Sequence, residues 1–307
     1  MTPFRKHLAL SIDGGGYKGV MVAKALAMAE SELGRPFAQI VDLAAGTSTG
    51  SIISSAIASG LTATEVLELY RTLGREVFSR SLRSVFWCLS RYRYDNAPLR
   101  AALRRTFGER TLGELWEDER KIDVVITVRD LVENRTMFLK PWKKQYADWP
   151  LWKAVLASSA VPTYFPVVDG RYVDGGFGSY GNPSYIAAYE LRFILGWDPA
   201  ETTLISLGTG RSKGRLAPGE ADDLRPFQWM RFILNTFLDD ANDQQVHLVS
   251  RFFSELDYRR VQVETEGLEI DDPSQYDRLV TYGEELGRRL LADEFDEAPQ
   301  EVPPPAP

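Results

Sequence analysis

The chain of 307 residues carries 36 Lys and Arg against 43 Asp and Glu, a formal net charge of −7, and 44% of it is hydrophobic. That length and composition suit one large α/β domain with an ample core, and the acidic balance argues against a general nucleic-acid binder, which needs a basic surface. A single cysteine, Cys88, and two histidines, His7 and His247, exclude a disulfide framework, a cysteine-rich zinc site and a multi-histidine metal site.

Leu8–Ile12 is a compact apolar run that ends in Asp13-Gly14-Gly15-Gly16, the pattern of a buried strand feeding a glycine turn. This run is too short for a signal-peptide core, and no apolar stretch reaches membrane-spanning length. The expectation is a soluble, cytoplasmic protein able to touch a membrane from outside. Val20, Ala23, Leu26, Ala27 and Leu33 then recur at helical spacing from Tyr17 to Leu33, and Gly34 supplies the stop. Ile40–Ala45 predicts a second strand running into Gly46-Thr47-Ser48-Thr49-Gly50, and Ile52–Ala58 a second helix. Thr62 and Glu65 have capping-box spacing and start a helix to about Val77. Between Arg80 and Tyr94, four arginines alternate with aromatic and apolar residues without an acid, which suits a lid or a membrane-surface contact as well as an ordinary helix burying Phe86 and Trp87.

Farther on, Asn96–Phe107 reads as a helix, and Ile122–Val128 as a strand with Thr136–Leu139 paired beside it. Leu151–Ser159 and Asn182–Leu195 read as helices, and Thr203–Leu207 as a strand. Pro226–Leu256 and Ser274–Leu291 have long helical patterns. Strands alternating with helices predict an α/β fold, a mostly parallel central sheet flanked by helices on both faces. A single domain over residues 5–292 is expected, and the acidic, proline-rich 293–307 reads as a disordered tail. Asp239, Asp240 and Asp243 lack EF-hand spacing and read as a solvated helix face rather than a calcium site.

Two glycine turns carry the chemistry. Gly46–Gly50 fits G-x-S-x-G, the sharp strand-to-helix bend that exposes a serine, here Ser48; alone the motif is weak. Asp13–Gly19 is less likely to arise by accident. Three successive glycines before a helix leave backbone N–H groups aimed at a common centre, which suits a phosphate or the oxyanion of acyl transfer. Gly14, Gly16 and Gly19 also satisfy the dinucleotide fingerprint, with Asp42 as a ribose-binding acid. An esterase needs a nucleophile and an oxyanion cradle on neighbouring strand ends, and a dinucleotide enzyme has no use for the serine turn. The serine needs a base. His7 lies in the first strand and His247 in a long helix, but Ser48, Asp174 and His247 occur in α/β-hydrolase chain order, so a triad stays open. Asp174, in Tyr172-Val173-Asp174-Gly175-Gly176, lies between an apolar strand and two glycines, where a substrate can approach. It is the better candidate for the base, with a plain Asp-Gly turn residue as the alternative.

Asp13–Gly19, Gly46–Gly50 and Asp174-Gly175-Gly176, in this order, resemble patatin-like phospholipases. So do Ala157–Pro166, Asn182-Pro183 and Ile205–Gly210. The resemblance runs from about Leu8 to Gly210. It implies the patatin-like three-layer sandwich and a lipid acyl hydrolase of the phospholipase A type, acting on a phospholipid or other acyl lipid without metal or organic cofactor. By position it implies Ser48 as nucleophile, Asp174 as its base, and Gly14, Gly15 and Gly16 as the oxyanion-hole loop. Lys18 stands where the family usually has arginine; it keeps the charge but not bidentate anion binding.

Overall fold

The computed structural model describes residues 1–78, 91–212, 219–225 and 241–296. Strands β1 (His7–Ile12), β2 (Leu43–Thr47), β3 (Asp123–Asp130), β4 (Arg135–Leu139), β5 (Tyr172–Asp174), β6 (Thr202–Leu207) and β8 (Asp257–Val261) form one sheet. Its order is β4-β3-β2-β1-β6-β8, with β5 set against β3. Neighbours from β3 to β8 are parallel, and β4 and β5 run antiparallel to β3. A short pair, β7 (Arg211–Ser212) and β9 (Glu264–Thr265), stands apart from this sheet.

Side-chain alternation sends the central strands into two cores. Leu8, Leu10, Ile12, Ala44, Val124 and Ile126 pack on one face with α1 (Gly19–Leu33), α2 (Thr49–Ala58), α3 (Ala63–Val77), α4 (Ala97–Phe107), α7 (Leu151–Ser158) and α10 (Tyr276–Leu291). Ala9, Leu43, Ala45, Val125 and Leu204 pack on the other with α8 (Ser184–Tyr189) and α9, helical over 241–252. Both faces of the parallel strands are therefore dry, as helix-covered sheets require. The expected α/β sandwich is the observed one. Among the described residues no helix is long and apolar enough to cross a membrane.

Local capping fixes several helix starts. Thr62 and Glu65 close the expected capping box at α3, and Thr111 and Glu114 make a second one at α5 (Leu112–Trp116), which no long apolar pattern announces. Four-residue α6 (Lys144–Ala147) follows β4. The helix expected from Tyr17 opens as a 3-10 turn over Gly16–Lys18 and becomes α-helical at Gly19. The second strand lies three residues later than Ile40–Ala45: a 3-10 turn takes up Phe37–Gln39, and the strand runs through Gly46 to Thr47. Helix α8 passes into a π turn over Glu190–Ile194, where Glu190 is fully buried and ion-paired with Lys140.

The expected helix Pro226–Leu256 is described only from 241 and ends at 252, because the chain must turn into β8. Residues 79–90, which hold most of the arginine-aromatic run, and Asp239 and Asp240 lie outside the described residues. At the end of that run Arg93 and Tyr94 turn inward: Arg93 Nη1 and the Tyr94 hydroxyl both bond Asp271, each at 2.8 Å. At the chain's other end, Asp293 accepts the Thr2 N–H and Asp296 pairs with Arg289, so ordered packing reaches Asp296.

Candidate active site

Register explains why Ser48 and Asp174 meet. Along one edge of β3, Thr127 pairs with Thr47, the last residue of β2. The next β3 residue, Val128, pairs with Asp174, the last residue of β5, while β4 occupies the opposite edge. Strands β2 and β5 thus approach head to head along β3. Their ends deliver a serine and an aspartate to the same place.

Ser48 sits at φ 55°, ψ −123°, a strained conformation for a residue with a side chain. The bend is possible only with glycines, because a Cβ on Gly46 would collide with the Gly50 backbone, and one on Gly50 with the Ile12 backbone of β1. Ser48 caps α2 with its carbonyl, which accepts the Ser51 N–H at 2.9 Å, and its hydroxyl takes no part in capping. That leaves the hydroxyl free for chemistry at the positive end of a helix. The Ser48 N–H donates to Ser158 Oγ at 2.9 Å.

Asp174 is half a turn residue and half something else. Its Oδ1 accepts the Gly176 N–H at 2.7 Å, which fixes the carboxyl in an Asx turn. Its Oδ2 is buried without a well-formed hydrogen bond. Burial pushes the Asp174 pKa up to about 6, against the opposing pulls of the Ser48 hydroxyl and the Gly176 N–H. The Ser48 hydroxyl is thus the side chain that acts on this raised carboxyl.

The glycine loop follows β1, next to β2 in the sheet. Gly14 lies against Ser48, close enough that a Cβ there would stand 3.3 Å from the serine Cβ. Of the three glycines expected to offer N–H groups, Gly14 donates to the Gly181 carbonyl at 2.8 Å. The N–H groups of Gly15 and Gly16 have no hydrogen-bond partner among the described residues. Gly16 takes φ +60° and passes directly under the Ile270 carbonyl, so no side chain fits there. Lys18, half-buried, ends the 3-10 turn, and its charge favours the ionised form of Asp13.

Beneath the loop, Asp13 and Arg260 form a buried bidentate pair at 2.9 and 2.6 Å, and Arg260 also donates to Ser206 Oγ at 2.8 Å. Burial raises the Asp13 carboxyl, with Arg260 pulling it back; for Arg260 burial opposes the charge and Asp13 more than restores it. Two parallel charge-assisted bonds make the ionised pair the state of this site.

A narrow, apolar pocket opens beside Ser48 and Gly16. Ile52, Leu73, Val77, Leu99 and Val161 line it, and Phe165 joins an aromatic wall with Phe78, Tyr94 and Tyr17. The apolar lining suits an apolar ligand. A serine, a carboxylate and two unspent N–H groups at its mouth suit acyl transfer.

The rival residues lie elsewhere. His7 sits at the start of β1, the sheet end away from Ser48, stacked on Trp197 at 4.6 Å. His247 is half-buried on α9, and neither histidine hydrogen-bonds Ser48 or Asp174 among the described residues. Asp42 precedes β2 rather than ending it and accepts the Leu8 N–H at 3.0 Å, so no ribose at the glycine loop could reach it. Asp243 pairs with Arg211. Sequence reasoning missed Ser158, Thr209, Arg260 and Ile270. Only Ser158 and Thr209 fall in stretches that carried the resemblance.

A family model described as Patatin-like phospholipase matches residues 10–187. The cGAMP-activated phospholipase of Pseudomonas aeruginosa (strain BWHPSA011 / Pa011) is 32% identical over 222 residues, covering 68% of this chain and 64% of that protein. The 85/88 kDa calcium-independent phospholipase A2 of Mus musculus is 32% identical over 234 residues, covering 67% of this chain and 27% of that protein. The intracellular phospholipase A2 of Caenorhabditis elegans is 28% identical over 260 residues, covering 79% and 23%. The chain thus spans just under two thirds of the first relative and about a quarter of the other two.

Proposed function

The chain belongs to the patatin-like phospholipase family, and from that premise we propose that it is a serine carboxylic-ester hydrolase cleaving acyl esters of phospholipids or related lipids through Ser48 and Asp174. The observation that carries this reading is the head-to-head meeting of β2 and β5, which sets a strained serine against a carboxylate whose pKa burial lifts to about 6. The single sheet from β1 to β8 supports taking the described chain as one catalytic domain.

In the first step Asp174 takes the Ser48 proton as the hydroxyl oxygen bonds the acyl carbon. The carbonyl becomes an oxyanion facing the Gly15 and Gly16 N–H groups, with the α2 N-terminus behind it. The C–O bond to the leaving alcohol breaks, and the proton held by Asp174 passes to that alcohol. Water then attacks the acyl-serine with Asp174 again as base, releasing the fatty acid and restoring the serine. The acyl chain occupies the apolar cavity. Lys18 adds positive potential at the loop; as an ammonium it acts on substrate charge as a point, without bidentate pairing.

The test is hydrolysis of phosphatidylcholine vesicles, followed by mass spectrometry of the released fatty acid and lysolipid, together with labelling by a fluorophosphonate. Ser48→Ala is expected to lose both hydrolysis and labelling while staying folded. Labelling that persists in the folded variant would move the nucleophile elsewhere.

A further inference from the structure

The glycine loop contains almost no side chains with which to hold its own shape. Glycine peptides rotate at little cost, yet catalysis needs two N–H groups fixed toward one point. The question is what fixes them.

The loop is pinned almost peptide by peptide. The Asp13 N–H donates to Leu207 O at 3.0 Å, the Gly14 N–H to Gly181 O at 2.8 Å and the Tyr17 N–H to Ile270 O at 2.7 Å. The Gly14 carbonyl is held differently, because it accepts the Thr209 hydroxyl at 2.5 Å. A peptide unit is planar and trans, so its C=O and N–H point in opposite directions. The Gly14 carbonyl and the Gly15 N–H belong to one such unit. Whatever anchors that oxygen aims that N–H.

We propose that Thr209 is a positioning residue: by holding the Gly14 carbonyl, its hydroxyl sets the direction of the Gly15 N–H toward the oxyanion. This rests on the hydrolase reading above. Thr209 is buried and presses flat on the loop, since a Cβ on Gly15 would collide with its side chain. Its own place is fixed from β8, where the Gly208 N–H donates to Val261 O at 2.9 Å and the Gly210 N–H to Gln262 Oε1 at 2.8 Å. Thr209 thus carries a contribution to the reaction from beyond the 10–187 match.

Thr209→Val keeps the shape and removes the bond. Loss of one oxyanion donor costs roughly a hundredfold to a thousandfold in kcat, so a donor left free to rotate is expected to cost at least about tenfold. KM should stay within about twofold. Affinity for a trifluoromethyl ketone, which forms a tetrahedral adduct with the serine, should fall in step with kcat, while lysolipid product binding is unchanged. Thr209→Ser should restore both kcat and ketone affinity. If Thr209→Val does not fold, Thr209→Ala carries the same test. Wild-type kcat and ketone affinity in the folded variant, or equal loss of ketone and product binding, would overturn the assignment. A wild-type chain that neither hydrolyses vesicles nor labels with fluorophosphonate would instead overturn the hydrolase reading itself.

Discussion

Two glycine turns leave adjacent parallel strands at the same end of the sheet, and they are held in opposite ways. The turn after β2 is local: Ser48 to Ile52 bond among themselves, and the following helix completes the bend. The turn after β1 is remote, held by Gly181, Leu207, Thr209 and Ile270, with the Arg260–Asp13 pair beneath it. A reactive side chain can be presented by a strained local bend. Two backbone dipoles aimed at empty space need scaffolding from several directions. The difference predicts where substitutions bite: few residues should matter at the serine turn, and distant ones at the glycine loop.

The largest expected effect tests whether Asp174, also locally held, is the base. Asp174→Asn fills the same space and keeps an oxygen for the Gly176 N–H but cannot take a proton, so turnover should fall by about six orders of magnitude, the scale seen when a serine hydrolase loses its base. In the wild type kcat/KM should rise with pH through about 6 and then level, since only ionised Asp174 accepts the proton. Stability should run the other way. A carboxyl whose pKa rises from 3.8 to about 6 on folding favours the folded state below 3.8, and loses that contribution as pH climbs through 6. Above that the buried charge costs at most about 3 kcal/mol. Asp174→Asn should therefore melt higher than wild type at pH 8, with the gap closing near pH 4. A variant that is dead and equally less stable at both pH values would show that Asp174 only builds the turn.

The same contrast governs how much was legible in the chain. The serine turn and Asp174 are local, so their residues stand together in sequence, and the apolar strands β1 and β3 have the runs that buried parallel strands require. Strand β8 was hidden because its inward residues include Arg259 and Arg260, buried through ion pairs with Asp257 and Asp13 rather than by apolar character. Periodicity cannot see a charge that is neutralised from 247 residues away. Asp174 was a candidate base from its own glycine-flanked setting, and the resemblance singled it out; how it meets Ser48 was not legible, since β5 has three residues and its register on β3 is a tertiary fact. The commitment of the Gly14 N–H to Gly181 had no sequence signal.

Ser158 is the exception that sharpens the comparison, a distant contact at the local turn. Its hydroxyl accepts the Ser48 N–H in full burial, and Ser158→Ala leaves that donor without a partner. An orphaned buried N–H costs about 1–3 kcal/mol, and the serine backbone should shift enough to cost about tenfold in kcat. If thermal melting moves and kcat does not, the bend holds itself and Ser158 belongs to the core alone.

The smallest effect is expected at the histidines, and it decides between a dyad and a triad. In the dyad no imidazole enters the proton path, so His247→Ala should keep kcat within about twofold of wild type. His7→Ala should behave likewise in activity, but it removes the stack on Trp197 and should lower stability by about 1 kcal/mol. Both residues sit away from the two turns, His7 at the far end of β1 and His247 on a helix of the opposite sheet layer. A folded His247→Ala variant slowed by orders of magnitude would put an imidazole between Ser48 and Asp174. The geometry argues against that arrangement, because Asp174 faces the Ser48 hydroxyl directly and no histidine hydrogen-bonds it among the described residues.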